Sequence, residues 1–131
     1  MSRWYIIHAY SGFEGKVRDA IMAEATRLGL VPLGYSDGIP RHAGNAGPMR
    51  VGGSRLRIAG RVCMDQVVLD LGAGSDAVPG DEVVLLGRGV DADPTAQDWA
   101  EAARTINYEI VTRLGARVPR VYVGLDEGGS A

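Results

Sequence analysis

The apolar positions of this chain change period twice, and each change marks a different kind of structure. Trp4 to Tyr10 is a β-branched and aromatic run that predicts a strand. Ser11 then stands three residues before Glu14, the spacing of a capping box. Phe13, Val17, Ala20, Ile21, Ala25 and Leu28 follow at helical intervals, and Gly29 ends the helix. From Val31 the texture becomes β, with short apolar runs cut by Gly, Pro and Asn. Leu56, Ile58, Val62 and Met64 alternate with Arg55, Arg57, Arg61 and Cys63, predicting a two-faced strand that Val67, Leu69 and Leu71 continue. Another buried strand is expected over Glu82 to Leu86, after the Pro79-Gly80-Asp81 turn. The helical period returns at Thr95, which with Asp98 caps a helix through Trp99 to Arg104. Thr105 caps a second, with an inward stripe of Ile106, Ile110, Val111 and Leu114, closed by Gly115. Pro119 to Val123 is predicted as a last strand, at an edge because of its proline.

A chain of 131 residues has the size of one domain and can bury a core without staples. With 46% hydrophobic and 23% charged residues it is composed like an ordered globular protein. The net charge of -2 argues against nucleic acid and membrane surfaces as partners, since both demand a cationic excess. No stretch is long enough to span a bilayer. Cys63 is the single cysteine, with no Cys or His cluster around it, so neither a disulfide scaffold nor a metal site is expected, and the location expected is cytoplasmic. Charge is segregated: Arg41, Arg50, Arg55, Arg57 and Arg61 fall in a stretch free of acids, whereas residues 65–98 hold eight acids and only Arg88. This gives either two solvated faces or an anion site. His8 and His42 are isolated, and Gly44, Gly47, Gly52 and Gly53 lack the Lys-Ser/Thr ending of a phosphate loop.

Two resemblances follow from particular words in the sequence. Trp4-Tyr5-Ile6-Ile7-His8-Ala9-Tyr10-Ser11-Gly12-Phe13-Glu14, with its amphipathic helix, resembles the opening of NusG-type transcription elongation factors over residues 1–30. From about residue 30 to 123 the chain resembles the C-terminal β domain of alanine racemases. The matching words are Val31 to Gly38 (VPLGYSDG), Gly60 to Gln66 (GRVCMDQ), Gly80-Asp81-Glu82, Pro94 to Trp99 (PTAQDW), Thr105 to Glu109 (TINYE) and Arg117 to Tyr122 (RVPRVY). That family is a head-to-tail homodimer, with each active site between one subunit's barrel and the other's β domain. Carried over by position, Tyr35 resembles the tyrosine lining the substrate entrance, and Arg41 and Arg61 the arginines of the same corridor. Met64 resembles the residue beside the substrate carboxylate. Tyr108 resembles the tyrosine whose hydroxyl reaches the cofactor phosphate. On the residues alone, Met64 is equally a core side chain, Tyr108 a packing residue, Asp37-Gly38 a plain turn and Cys63 a small buried hydrophobe.

The departures from the family shape the functional expectation. Its pyridoxal phosphate is held on a barrel lysine, and the single lysine here, Lys16, lies on the NusG-like helix. Its second base is a tyrosine just upstream of the Gly-Tyr-x-Asp-Gly turn, where this chain carries the strand and helix instead. The sequence therefore predicts an α+β, mainly β domain: a Greek-key six-stranded barrel in which the N-terminal strand-helix replaces a barrel strand. The expected unit is a single chimeric domain over 1–131, made of 1–30, 31–125 and a frayed tail at 126–131. It is expected to be an engineered or recombined, non-catalytic chimera rather than an enzyme, with Tyr35, Arg41, Arg61, Met64 and Tyr108 as vestigial site positions and no cofactor of its own. A homodimer and weak binding of phosphate or sulfate are expected. The alternatives are a fragment or accessory domain of a pyridoxal-phosphate-dependent alanine racemase, and a fragment that binds RNA polymerase.

Overall fold

The computed structural model describes residues 5–6 and 28–124. Apart from its last residue, Leu28, the predicted N-terminal helix lies outside the described residues, as does the tail at 126–131. Among the described residues six strands form two antiparallel sheets. The first runs β1 (Tyr5–Ile6), β2 (Leu28–Val31), β5 (Val67–Asp70), and the second runs β4 (Ser54–Arg57), β3 (Pro48–Val51), β6 (Val83–Val84). No closed barrel is present among them. Closure needs an unbroken ladder, and the sheets are joined only by the bridge between Ile58 and Leu69.

The strand pattern explains which residues turn inward. In β2 Gly29 and Val31 face the core, in β5 Val67 and Leu69, and in β3 Met49 and Val51. β2 pairs with β5 from Leu28–Asp70 to Val31–Val67, and with β1 through Tyr5–Leu30 and Ile6–Gly29. The junction predicted at residue 30 therefore falls inside a continuous strand. Leu28 and Gly29, expected to end a helix, belong to β2 because β5 offers them a ladder that a helix end could not use. β3 and β4 form a hairpin across Gly52-Gly53, and Gly52 adopts the positive φ of 56° that a two-residue turn requires.

Three predicted strands are shorter or absent. The strand expected to run from Arg55 to Met64 stops at Arg57; Gly60, with φ of 85°, turns the chain away after the Ile58 bridge. The strand of Glu82 to Leu86 shrinks to Val83–Val84. Pro119 to Val123 is exposed and belongs to neither sheet of the described residues.

Helix α1 (Ala96–Ala103) forms as the capping box predicts: the Asp98 N–H donates to Thr95 Oγ1 at 3.2 Å, and the Thr95 N–H donates to Asp98 Oδ2 at 2.8 Å. It buries Trp99, Ala100 and Ala103. The Trp99 indole N–H donates to the Leu85 carbonyl at 2.7 Å, tying the helix to the segment after β6. Gly47 makes room for the ring, since a Cβ there would lie 2.7 Å from a Trp99 ring carbon and 2.8 Å from Ile58 Cδ1. Helix α2 (Asn107–Thr112) has Ile106 rather than Thr105 at its N-cap, and of its predicted inward stripe only Ile110 is buried. Ile106, Val111 and Leu114 remain exposed because α2 lies at the margin of the core. No helix among the described residues is long and apolar enough to cross a membrane.

Because the Thr95 cap satisfies backbone groups that α1 cannot satisfy itself, Thr95→Ala is expected to lower unfolding stability by about 1 kcal/mol. Urea denaturation read by Trp fluorescence checks this.

Candidate functional site

The polar loops at one end of the sheets bring together residues that lie far apart in sequence. Gly34 leads into a single 3-10 turn, Tyr35–Asp37, which Gly38 closes with φ of 110°. That turn is stitched to the loop after Gly60. The Tyr35 N–H donates to the Cys63 carbonyl at 2.9 Å, and the Ser36 N–H and hydroxyl donate to the Met64 carbonyl at 2.9 and 2.7 Å. A second fastening lies further along both loops: the Asn45 N–H donates to the Gly60 carbonyl at 3.0 Å, and the Gly60 N–H donates to Asn45 Oδ1 at 2.6 Å.

These contacts place Tyr35, Arg41, Arg61 and Met64 on two loops that are pinned to each other. The Arg41 guanidinium lies 5.8 Å from the centroid of the Tyr35 ring. At that distance the cation is attracted by the negative face of the ring. Met64 is 59% exposed and so is not a core side chain. Cys63 is also exposed rather than buried, because its carbonyl and N–H, which bond Tyr35 and Gln66, hold the loop instead of its side chain. Tyr108 stands on α2 with 74% of its surface exposed.

Asp37 is the one buried charged residue among the described residues. Its side chain is 3% exposed and receives three donors: Arg117 Nε at 2.6 Å, Arg117 Nη2 at 2.7 Å, and the Gly34 N–H at 2.9 Å. The hydrogen bond from Arg117 lowers the Asp37 carboxyl below the ordinary aspartate range, against a burial that works the other way. The same pairing raises the Arg117 guanidinium. The sequence suggests only a turn at Asp37-Gly38. Nothing in its local pattern pairs a residue with one 80 positions away, although Arg117 opens the last of the quoted motifs.

An apolar cavity of about 180 Å³ lies behind the turn, between Leu33, Ile39, Leu85, Trp99, Ile110 and Leu114. The arginine-rich stretch and the later acids, segregated in sequence, interleave in space. Arg50 pairs with Asp93, and Arg55 with Asp98 at 3.1 Å, because β3 and β4 lie beside the segment that enters α1. No group of three His, Cys, Asp or Glu side chains suited to a metal ion occurs among the described residues.

Two antiparallel sheets, a flanking helix pair and exposed Tyr35, Arg41 and Arg61 on hydrogen-bonded loops define a small mainly-β domain that presents a polar loop surface. The family model for the alanine racemase C-terminal domain matches residues 15–122, and the chain belongs to that family. It is 71% identical over 102 residues to the alanine racemase of Beutenbergia cavernae, a match that covers 78% of this chain and 27% of that protein. The solved alanine racemase of Streptomyces coelicolor superposes with a TM-score of 0.71 at 63% identity, covering 74% of this chain and 25% of that one. The alanine racemase of Bartonella henselae, solved with covalently bound pyridoxal phosphate, superposes at 0.66 with 32% identity over 73% of this chain and 26% of that one. The chain thus spans about a quarter of the length of the relatives it matches.

These matches overturn the expected chimera. The family match begins at Gly15, within the segment 1–30 expected to come from a NusG-type factor. A strand, a capping box and an amphipathic helix are generic patterns, which is why the opening words misled. The expectation of a non-catalytic chain that is no enzyme falls on the same findings, since the relatives that match so closely are named as racemases.

Two outcomes follow from the geometry. Gly34 has φ of -145°, open to any residue, but a Cβ there would collide with the backbone carbonyls of Cys63 and Met64. Gly34→Ala is therefore expected to cost about 1–3 kcal/mol by overpacking, measured as a drop in thermal midpoint. The second concerns pH. Asp98, held low chiefly by the Thr95 N–H, joins Asp37 in having a folded-state pKa below its unfolded one. Such groups contribute fully above the unfolded value and lose their contribution as pH falls through the folded one. Melting temperature is expected to hold down to about pH 4 and then fall, with a smaller fall in Asp37→Asn.

Proposed function

We propose that this chain is the C-terminal β domain of an alanine racemase, and that it supplies the half of the active site that meets a cofactor-bearing barrel from a second subunit. The 71% identity to a racemase over 102 residues, 78% of this chain, carries this reading. It replaces the non-catalytic chimera and polymerase binding as the account of the motifs quoted above.

The donor set on the loop face fits the outer part of such a site. Arg41 and Arg61, both exposed, attract and orient an amino-acid carboxylate, for which planar guanidinium forks are well matched. Tyr35, under the Arg41 guanidinium, narrows the approach. Met64 lies beside the carboxylate, with its own carbonyl fixed by Ser36. Tyr108 offers its hydroxyl to the phosphate of pyridoxal phosphate. That cofactor, when bound, supplies the electron sink that allows an α-proton to be removed. In this reading the lysine that anchors it belongs to the barrel; Lys16 is the one lysine in these 131 residues. The parent enzyme is a cytoplasmic homodimer in which each site is shared between subunits.

Replacing the C-terminal domain of the Streptomyces coelicolor racemase by residues 28–124 tests this. The hybrid is expected to interconvert L- and D-alanine within about tenfold of the parent kcat/KM, and Arg61→Ala is expected to raise KM more than it lowers kcat. A folded, dimeric, cofactor-loaded hybrid without turnover would overturn the proposal.

A further inference from the structure

Arg61 is exposed, and among the described residues no acid pairs with it. Its place on the loop face is therefore set through its backbone. That backbone leaves the sheets at Ile58 and Ala59, whose N–H groups donate to the carbonyls of Gly47 and Val68 at 2.9 and 2.7 Å, and it is held again at Val62, which is buried. Between these points Gly60 adopts φ of 85°, and on the side where a Cβ would stand it meets open space. Side-chain packing does not hold Gly60 there, and hydrogen bonds do.

Asn45 makes both of them. Its N–H donates to the Gly60 carbonyl at 3.0 Å, and its Oδ1 accepts from the Gly60 N–H at 2.6 Å. Asn45 itself is left-handed, with φ of 59°, a conformation that asparagine adopts more readily than most residues with a side chain. The loop around it is internally bonded. The Ala43 N–H donates to the Pro40 carbonyl at 3.0 Å, and the Ala46 and Gly47 N–H groups both donate to the Ala43 carbonyl, at 3.1 and 2.7 Å. The same loop begins with the turn Arg41–Ala43, and the Arg41 guanidinium lies over Tyr35. Gly44 brings the two loops into contact: a Cβ there would lie 3.0 Å from the Gly60 carbonyl oxygen and 3.4 Å from Arg61 Cα. One residue thus joins the loop that carries Arg41 to the position just before Arg61.

We infer that Asn45 is a positioning residue: its two hydrogen bonds to Gly60 set the path of the chain between the sheets and Val62, and so the place of Arg61 beside the Arg41 loop. The inference rests on the reading that these two arginines receive the substrate carboxylate. Asn45 need not touch the substrate for this role. Two bonds between the same pair of residues fix a direction as well as a distance. The side-chain acceptor is what matters, because without it the Gly60 N–H turns to water and one bond remains.

Residual dipolar couplings of backbone N–H groups, measured on the full 131-residue chain, test the placement. Asn45→Gly keeps the left-handed turn and loses the acceptor. In it the couplings of Gly60 and Arg61 are expected to change and the Gly60 amide to exchange faster with solvent, while the couplings of Ile58 and Ala59 stay as they were. Asn45→Asp, which keeps an acceptor of the same reach, is expected to restore the parent values. Asn45→Ser, whose hydroxyl ends closer to its own backbone, decides the matter if Asn45→Gly does not fold. Unchanged couplings at Gly60 and Arg61 overturn the inference. So does a failure of Asn45→Asp to restore them, or an equal change at Ile58 and Ala59, which shows a general loosening. In the hybrid racemase Asn45→Gly is expected to raise KM about fivefold, the effect of one lost hydrogen bond, with a smaller change in kcat. It is expected to have no further effect in Arg61→Ala, and an equal effect with and without Arg61 overturns the inference. A hybrid without turnover, beside couplings that move as expected, removes the racemase reading and leaves the anchor. Unchanged couplings beside an active hybrid remove the anchor alone.

Discussion

The single bridge between Ile58 and Leu69 is the constraint on which the rest of this domain depends. Each sheet has only three short strands among the described residues, and each has an apolar inner face to cover. At the bridge the two sheets meet, and the side chains that flank it are almost wholly removed from water: Met49, Ile58, Val67 and Leu69 form one continuous core with Val31. Trp99 closes that core from the helical side, over the gap left by Gly47. Separating the sheets would expose both inner faces at once, so the two fold as a unit.

The loop face inherits its rigidity from this arrangement. Gly34 follows Val31 out of the central strand of the first sheet, and Gly60 follows Ile58 out of the bridge. The two loops therefore start from fixed points and then exchange backbone hydrogen bonds along their length. Tyr35, Arg41, Arg61 and Met64 are presented on backbone that cannot drift, an arrangement suited to a surface that completes a site rather than enclosing one. α2 sits at the margin of the core, buries only Ile110 there, and is held against α1, where the Asn107 side-chain amide donates to Gln97 Oε1 at 3.3 Å.

Much was legible in the sequence, because local rules act over a few residues. The Thr95-x-x-Asp98 spacing marked the start of α1, the Val67-x-Leu69 alternation marked β5, and the motif words from residue 31 onward identified the family. The opening segment was misread because strand and helix periodicity is shared by unrelated proteins, and because β2 took Leu28 and Gly29 from the predicted helix end once β5 was available as a partner. The strand expected beyond Arg57 failed for a similar reason, since alternation persists in a loop whose polar groups find partners outside any sheet.

By itself, then, the sequence determined the period of each element, the caps of α1, the membership in a family and the residue types of the exposed face. Only the tertiary structure decided that the sheets meet at one bridge instead of closing, that Arg50 and Arg55 of the arginine-rich stretch pair with Asp93 and Asp98, and that Asp37 is sealed beneath Arg117. The physical reason is range. Periodicity and capping are fixed by neighbours within about one turn, whereas a ladder, an ion pair or a buried carboxylate depends on which distant segment the burial of the core brings alongside.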